Sequence, residues 1–428
     1  MKDRKYIWSL ITAYMCYFTH GIQAIILAQN QVNFYTKWGY TDPTSGSQAV
    51  SLAITATGLG KFLTVWLGGI VSDKIGRKKM AVAGGILYIL CFAGLLYSDS
   101  FTVACICAFL AGVATSGFWD AALYPAVQEA APKYAGAVLI GIKAFISISG
   151  IIYPLLVVHF SAAGMWEVNI WIPLVLSIIC TVLALFSPFV YDEQMKEKVT
   201  TATGETISAA EAEIKEAKSR MLVKPNKLVN FFTVFYAFLC MFIMYGAQQY
   251  TKAFGMLNAG LTEIQAAGLT SVYTVGSIIA VVFWAFMMGK LKWTPLKVVL
   301  IDSIFTAFAL VIVLLVKNVV VIYVSIALLG FFAAGGALQT GLGVRQELVP
   351  GPKGRNTGIY YTWMGLASTF LPYLVSHMTK SIGEEAAIHT MMLLLLAAAI
   401  LATVIMVYLA VQYKKIFGYS ALGKQKAD

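Results

Sequence analysis

The sequence predicts an all-α membrane protein of twelve transmembrane helices in two pseudo-symmetric six-helix bundles, with both termini cytoplasmic. Composition, the series of apolar runs and an internal repeat carry that expectation. Of 428 residues, 59% are hydrophobic and 12% charged, and mean hydropathy is +0.77, far from the half-apolar, quarter-charged mix of soluble domains. At about 20 residues per crossing, twelve spans take about 240 residues and leave the rest for loops and helix extensions. Runs such as 391–411 are continuous and rich in Leu and Ala, whereas a transmembrane barrel would alternate over short strands.

The first run, 6–30, follows a charged tip without a small-residue cleavage site and reads as a retained helix, not a signal peptide. The second, 50–72, stops at the turn Asp73 to Lys79, which the third, 79–97, leaves. The fourth, 101–130, ends before Pro132, and runs at 136–159 and 168–190 complete a first bundle, 1–190. The polar stretch 191–227 contains SAAEAEIKEAKSR, where Glu211 and Lys215 are spaced for a helical pair, and reads as a cytoplasmic linker with a surface helix. Runs at 228–253, 262–288, 296–316, 319–347, 355–378 and 387–411 form a second bundle, 228–413, before a tail at 414–428.

The net charge of +11 follows this topology. Of 31 Lys and Arg, 24 fall at the termini and in the loops after even-numbered spans, Lys2, Lys424 and Lys426 among them, against Lys37, Lys252, Lys317 and Lys380 in the opposite loops. The positive-inside rule therefore places both termini in the cytoplasm. The basicity implies no nucleic-acid partner. The six cysteines lie in apolar runs without a CxxC pair and read as small buried hydrophobes, so no metal site is expected.

The repeat joins the halves. Shifted by 218 residues, Gly112 meets Gly330, Gly117 meets Gly335, Gln128 and Glu129 meet Gln346 and Glu347, Pro132 meets Pro350 and Gly136 meets Gly354. A weaker echo at 225 pairs Gly21 and Gln23 with Gly246 and Gln248. Two six-span halves in one orientation form a parallel repeat, which places a binding site near the midplane.

Between the second and third spans stands Gly68-Gly69-Ile70-Val71-Ser72-Asp73-Lys74-Ile75-Gly76-Arg77-Lys78-Lys79, and the fourth span ends Glu129-x-x-Pro132-x-x-x-Gly136. With twelve spans, a long central loop and the repeat, this resembles the signature of the major facilitator superfamily over the whole chain. The resemblance implies a rocker-switch secondary transporter with a central cavity lined mainly by spans 1, 4, 7 and 10, localised in a plasma (inner) membrane. It also implies a cytoplasmic charge latch of Asp73, Arg77 and Glu129; Arg345 and Glu347, at the cytoplasmic end of span 10, read as gate or latch residues. The chain departs from the family where Ala108 occupies the position of a frequent arginine, and where the loop after span 8 has no acid matching Asp73. Span 5 lacks the Gly-Pro motif of drug exporters, which favours uptake.

Ionisable groups inside a bilayer cost several kcal/mol unless paired or wet. Lys61 lies 12 residues before Asp73, and Asp120 lies 12 before Pro132, so at about 1.5 Å per residue both sit at one depth. A Lys61–Asp120 ion pair that exchanges a proton is the leading expectation, with His20 as a further proton carrier. Lys143, in span 5, shares that acid, meets an anionic substrate or snorkels to the cytoplasmic interface. Asp302, in span 9, is expected to have a structural partner such as Lys297. Gln23, Asn30, Trp119, Tyr124, Gln248, Gln249, Gln339, Tyr360, Tyr361 and Trp363 gather on the proposed cavity spans with Lys61 and Lys143. Amides and aromatic faces suit a hydroxylated solute.

These residues predict proton-coupled symport of a small polar organic solute such as a sugar or polyol. The alternatives are an organic-anion symporter or exchanger, a proton-antiport exporter, and a non-transporting membrane sensor. No clustered catalytic set accompanies the four histidines, so an enzyme is not expected. No GxxxxGK[ST] occurs, so ATP-driven transport is not expected; no cofactor is expected, and H+ is the expected coupling ion. The partners expected are the substrate and the lipid bilayer, with the chain monomeric.

Overall fold

The computed structural model describes residues 4–200 and 206–423. Lys2, Lys424 and Lys426 lie outside the described residues, as do five residues of the linker. Helices dominate: α1 Ile7–Gln29, α2 Gln31–Lys37, α3 Pro43–Ile75, α4 Arg77–Tyr97, α5 Phe101–Gly112, α6 Ala121–Ala130, α7 Ala135–Ala162 and α8 Val168–Phe186 precede the linker. The linker holds α9 Val190–Gln194, a hairpin of β1 Lys198–Thr200 against β2 Thr206–Ser208, and α10 Ala209–Ser219. Then come α11 Lys227–Leu257, α12 Glu263–Gly289, α13 Pro295–Leu315, α14 Val319–Leu329, α15 Ala337–Leu348, α16 Lys353–Ile382 and α17 Glu384–Phe417.

Among the described residues, eleven helices or continuous helical stacks are long and apolar enough to cross a membrane. The run at 355–378 lies in α16, which at 30 residues has the length to span. Its first turn carries Lys353 and Arg355, Ser and Thr recur along it, and Asn356 and His377 add to them, so its apolar character is weaker than that of the eleven.

The linker helix begins with a reciprocal cap. Ser208 Oγ accepts the Glu211 N–H at 3.3 Å, and Glu211 Oε2 accepts the Ser208 N–H at 3.1 Å, which satisfies two end donors at once.

The chain divides into two compact units. One comprises Met1–Ala135, Gly141–Lys215 and Gly351–Thr362; the other comprises Gly136–Ile140, Glu216–Pro350 and Trp363–Asp428. The fold repeats between them at the offset found in sequence. Shifting α4 (Arg77–Tyr97) by 218 residues gives the bounds of α13 (Pro295–Leu315), and the first residue of α5, Phe101, becomes that of α14, Val319. Each unit then carries a π-helical segment, Val113–Asp120 in the first and Gly330–Ala334 in the second. Such widened turns are rare and concentrate at functional sites.

Glycines permit the same helix crossing in both units. A Cβ built on Gly60 would stand 2.1 Å from the Phe109 carbonyl oxygen, and one on Gly112 2.1 Å from that of Thr57. In the second unit a Cβ on Gly276 would stand 2.0 Å from the Ala327 oxygen, and one on Gly330 2.0 Å from that of Tyr273. Small residues at these points allow backbones to touch, the main attraction between helices in lipid.

Gly58, two residues from Gly60, would meet nothing within 4 Å. Gly112→Val is therefore expected to force α3 and α5 apart and lower stability by about 1–3 kcal/mol, with a matching loss of monodisperse protein. Gly58→Ala is expected to hold or gain up to about 1 kcal/mol from helix propensity. Parallel melting of the two variants in detergent checks the contrast; equal effects would refute the crossing argument.

Candidate functional site

The polar centre of the first unit is built on α1, α3, α4 and the π-helical segment. Asp120 closes that segment and is 6% exposed. Tyr17 Oη donates to its Oδ1 at 3.0 Å and Ser116 Oγ to its Oδ2 at 2.7 Å. Two hydroxyls thus solvate a carboxyl that would otherwise be bare in an apolar interior.

The expected direct bridge to Lys61 is not formed. No Lys61–Asp120 approach within 4.0 Å occurs among the described residues, although Lys61, half-buried on α3, is near enough for its charge to act on both Asp120 and His20. The Ser116 hydroxyl, one helical turn away, and the Tyr17 hydroxyl, from α1, reach the carboxylate without fixing a long lysine chain and occupy both oxygens.

A second network adjoins this carboxyl. His20 Nδ1 lies 3.2 Å from Tyr88 Oη and 3.4 Å from Thr115 Oγ1, and the two hydroxyls bond one another. Both also reach Gln23 Oε1 at 3.4 Å. The ring of Tyr17 meets His20 edge-on at 6.1 Å, and on its other side Tyr124 at 5.1 Å, which continues to Tyr361 at 4.9 Å. Asp120, His20, Gln23, Tyr124 and Tyr361 therefore belong to one cluster, with Lys61 at its edge. Tyr17, Tyr88, Thr115 and Ser116 are members the sequence reading missed. Ser116 was legible, since it stands one turn before Asp120, as Tyr17 does before His20.

Other candidates are engaged elsewhere. Trp119 is 0% exposed; its indole N–H donates to the Ala81 carbonyl at 3.0 Å and its ring packs on Tyr88 at 4.5 Å, so it serves the core rather than a solute surface. Asn30 donates to the Ile26 carbonyl at 2.9 Å and to Tyr153 Oη at 3.0 Å, and accepts from Asn169 at 2.9 Å, which ties the end of α1 to α7 and α8. Lys143 is half-buried on α7 and, like Lys61, makes no ion pair within 4.0 Å among the described residues. In the second unit Gln248 and Gln249 are exposed, Gln339 is buried, and Trp363 packs edge-on against Phe231 at 5.8 Å. Tyr360, in the first unit, is buried beside Tyr361. A cavity of about 690 Å³ in the second unit, beside Lys317, Glu384, Glu385 and His389, holds none of these candidates.

At one end of the first unit, Arg77 gathers the motif residues. It is 0% exposed; Nη1 donates to Ser72 Oγ at 2.7 Å and Asp73 Oδ1 at 2.9 Å, and Nη2 to Glu129 Oε1 at 3.0 Å. Its guanidinium lies 4.0 Å from the ring centroid of Tyr191. Asp73 also accepts the N–H of Gly354 at 3.0 Å and of Arg355 at 2.6 Å. It thereby caps the first turn of α16, where the helix dipole favours an anion. Gly76, at φ +97°, makes the turn, and a Cβ there would stand 2.0 Å from Asp192 Oδ1, the carboxylate whose other oxygen accepts the Arg77 and Lys78 N–H groups at 3.0 and 3.1 Å.

Arg345 and Glu347 do not meet. Arg345 donates to Thr233 Oγ1 at 2.9 Å and Asn230 Oδ1 at 3.1 Å, while Glu347 accepts from Tyr413 Oη at 2.5 Å.

Long apolar helices, repeated at a fixed offset and carrying ionisable side chains in their middle, define a multi-pass membrane protein built on an internal duplication. The family model for the Major Facilitator Superfamily matches residues 8–372, and the chain belongs to that superfamily of transporters. It is similar to the inner membrane transport protein YdiN of Escherichia coli K12, at 28% identity over 413 residues, 96% of this chain and 92% of that one. It is also similar to the uncharacterized MFS-type transporter YfkL of Bacillus subtilis 168, at 29% identity over 411 residues, 95% and 97% of the two chains. Among solved structures, the E. coli fucose:proton symporter FucP superposes with a TM-score of 0.69 at 13% identity, over 94% of this chain and 99% of that chain. At that identity the likeness is one of fold.

Proposed function

We propose that this transporter couples uptake of a small polar organic solute, of the sugar or polyol class, to protons by alternating access. It would act as a monomer in the plasma membrane, with α16 as a twelfth span and both termini cytoplasmic, the side to which the lysine and arginine excess assigns them. The observation that carries this reading is Asp120: a buried carboxyl in a π-helical turn, held by two hydroxyls and continuous through Tyr17 with the His20–Tyr88–Thr115–Gln23 network. A carboxyl with hydroxyl partners rather than a fixed cation can gain or lose a proton without breaking an ion pair. The surrounding hydroxyls, amide and aromatic faces match the chemistry of a polyol. The fucose:proton symporter that shares the fold is a precedent for such chemistry on this scaffold.

The test is a stability screen of purified protein against sugars, polyols, carboxylates and amino acids, because a ligand of the folded state raises the melting temperature. A sugar or polyol should stabilise, and adding it outside proteoliposomes should alkalinise the medium. Stabilisation by lipophilic cations alone would overturn the reading in favour of export.

Lys61 and Lys143 support a second reading, an organic anion, because each is an ammonium group without a carboxylate within 4.0 Å among the described residues. If Lys61 receives a substrate carboxylate, Lys61→Gln should weaken binding of the acid by about tenfold or more, as for a lost charged hydrogen bond, and leave its neutral analogue unchanged. Equal weakening of both, in titration calorimetry, would remove this reading.

A further inference from the structure

The second unit holds a buried acid that the site above does not use. Asp302, on α13, is 2% exposed and its Oδ1 has no hydrogen-bond partner among the described residues. Lys297, the partner expected from sequence, instead lies 3.9 Å over the ring of Trp293. The indole N–H of Trp284 faces the carboxyl as a neutral donor, which leaves its charge uncompensated. Asp302 borders a cavity of about 10 Å³, room for about one water-sized species. Ser303, Thr306, Tyr236, Cys240 and Ala337 also line it, and among the described residues no lysine, arginine or histidine does.

The repeat shows what distinguishes this place in the two units. Shifted by 218 residues, Gly84 becomes Asp302, Tyr88 becomes Thr306 and Trp119 becomes Ala337. In the first unit the Trp119 ring fills the space: a Cβ on Gly84 would stand 2.6 Å from it, and the ring packs on Tyr88 at 4.5 Å. In the second unit the tryptophan is reduced to a methyl group, the tyrosine to a threonine, and a carboxyl enters from the glycine position. The place is thus emptied and made acidic at once, whereas a neutral small residue at 302 would have left an apolar gap.

A lone carboxylate in such surroundings demands a compensating charge, because transfer of an unpaired ion to an apolar interior costs several kcal/mol or more. Among the described residues no lysine, arginine or histidine lines the cavity to supply it. We propose that Asp302, with the hydroxyls of Ser303 and Thr306, binds one small monovalent cation, a proton or a sodium ion, and so gives the second unit a cation site of its own. The site does not depend on the reading of Asp120.

The experiment uses full-length protein carrying Asp120→Asn, so that the first unit's acid is silent. Melting temperature is measured as sodium replaces choline at constant pH and ionic strength, and separately as pH falls in choline alone. One of the two series is expected to stabilise the protein, and adding Asp302→Asn is expected to flatten it. A sodium response identifies the ion as sodium, and a response to acid alone identifies the proton. Thr306→Val keeps the charge and the volume, and should shift the midpoint of the same response by about tenfold in cation concentration, as for one lost hydroxyl contact; it also serves if the Asn variant does not fold. Responses of equal size and midpoint in the presence and absence of the Asp302 or Thr306 substitution would overturn the proposal, as would an Asp120→Asn protein indifferent to both cations.

Discussion

Arg77→Gln is expected to lower stability by about 3–5 kcal/mol, the cost of leaving the far side of a buried ion pair uncompensated. Two carboxylates depend on this guanidinium. Glu129 has 3% of its side chain exposed and Asp73 has 10%, so neither can turn to water when the arginine is gone. The loss also spreads to the backbone, because Asp73 accepts the first-turn N–H groups of α16, and Tyr191, whose hydroxyl donates to the Asp73 carbonyl at 2.8 Å, loses the cation over its ring.

Arg77→Lys should recover only part of the stability. One ammonium cannot reproduce a fork that reaches Ser72 and Asp73 with one nitrogen and Glu129 with another. Glu129→Gln combined with Arg77→Gln should cost less than the sum of the two single changes, since the pair leaves together. Melting curves of the four proteins check this; additive losses, or an Arg77→Gln protein as stable as the wild type, would mean that the cluster is packing rather than electrostatics.

This cluster is also where sequence and structure agree in most detail. Asp73, Arg77 and Glu129 stand in a motif, and motifs of turn glycines and charges report local geometry that few arrangements satisfy. The long apolar runs were legible for a similar reason: spanning lipid leaves a backbone little choice but helix. The Lys61–Asp120 expectation shows where this legibility ends. Equal distances from a helix end place two residues at one depth, but not at one azimuth, and the π-helical turn before Asp120 changes the rotation that a regular helix would have. No composition or spacing marks that turn. Tyr88 was hidden for the same reason, because its role depends on which face of α4 meets α1. The repeat reaches further: the 218-residue offset that aligns six residues in and just after the fourth and tenth spans also aligns Gly84 with Asp302 and Trp119 with Ala337, and so marks the place where the units diverge.

For the proposed coupling, Asp120→Asn has the largest functional consequence. A carrier that moves one proton with each solute can hold the solute about tenfold more concentrated inside for each pH unit of gradient, since one unit is about 1.4 kcal/mol and that energy is a factor of ten. Asparagine keeps the shape of the aspartate and can still meet the Tyr17 and Ser116 hydroxyls, but it cannot exchange a proton. In proteoliposomes with an alkaline interior, the variant is therefore expected to bring the solute only to equal concentration on the two sides. Exchange of labelled for unlabelled solute, which needs the loaded carrier to reorient without net proton movement, should continue at near the wild-type rate. Tyr17→Phe is the companion variant: it keeps the ring that packs on Tyr124 and removes one of the two hydroxyls on the carboxyl. It should retain exchange while moving the pH dependence of accumulation, a readout that a purely structural tyrosine would leave in place. Loss of both accumulation and exchange in Asp120→Asn would assign the residue to folding or solute binding, and accumulation at the wild-type level would place the coupling proton on another group.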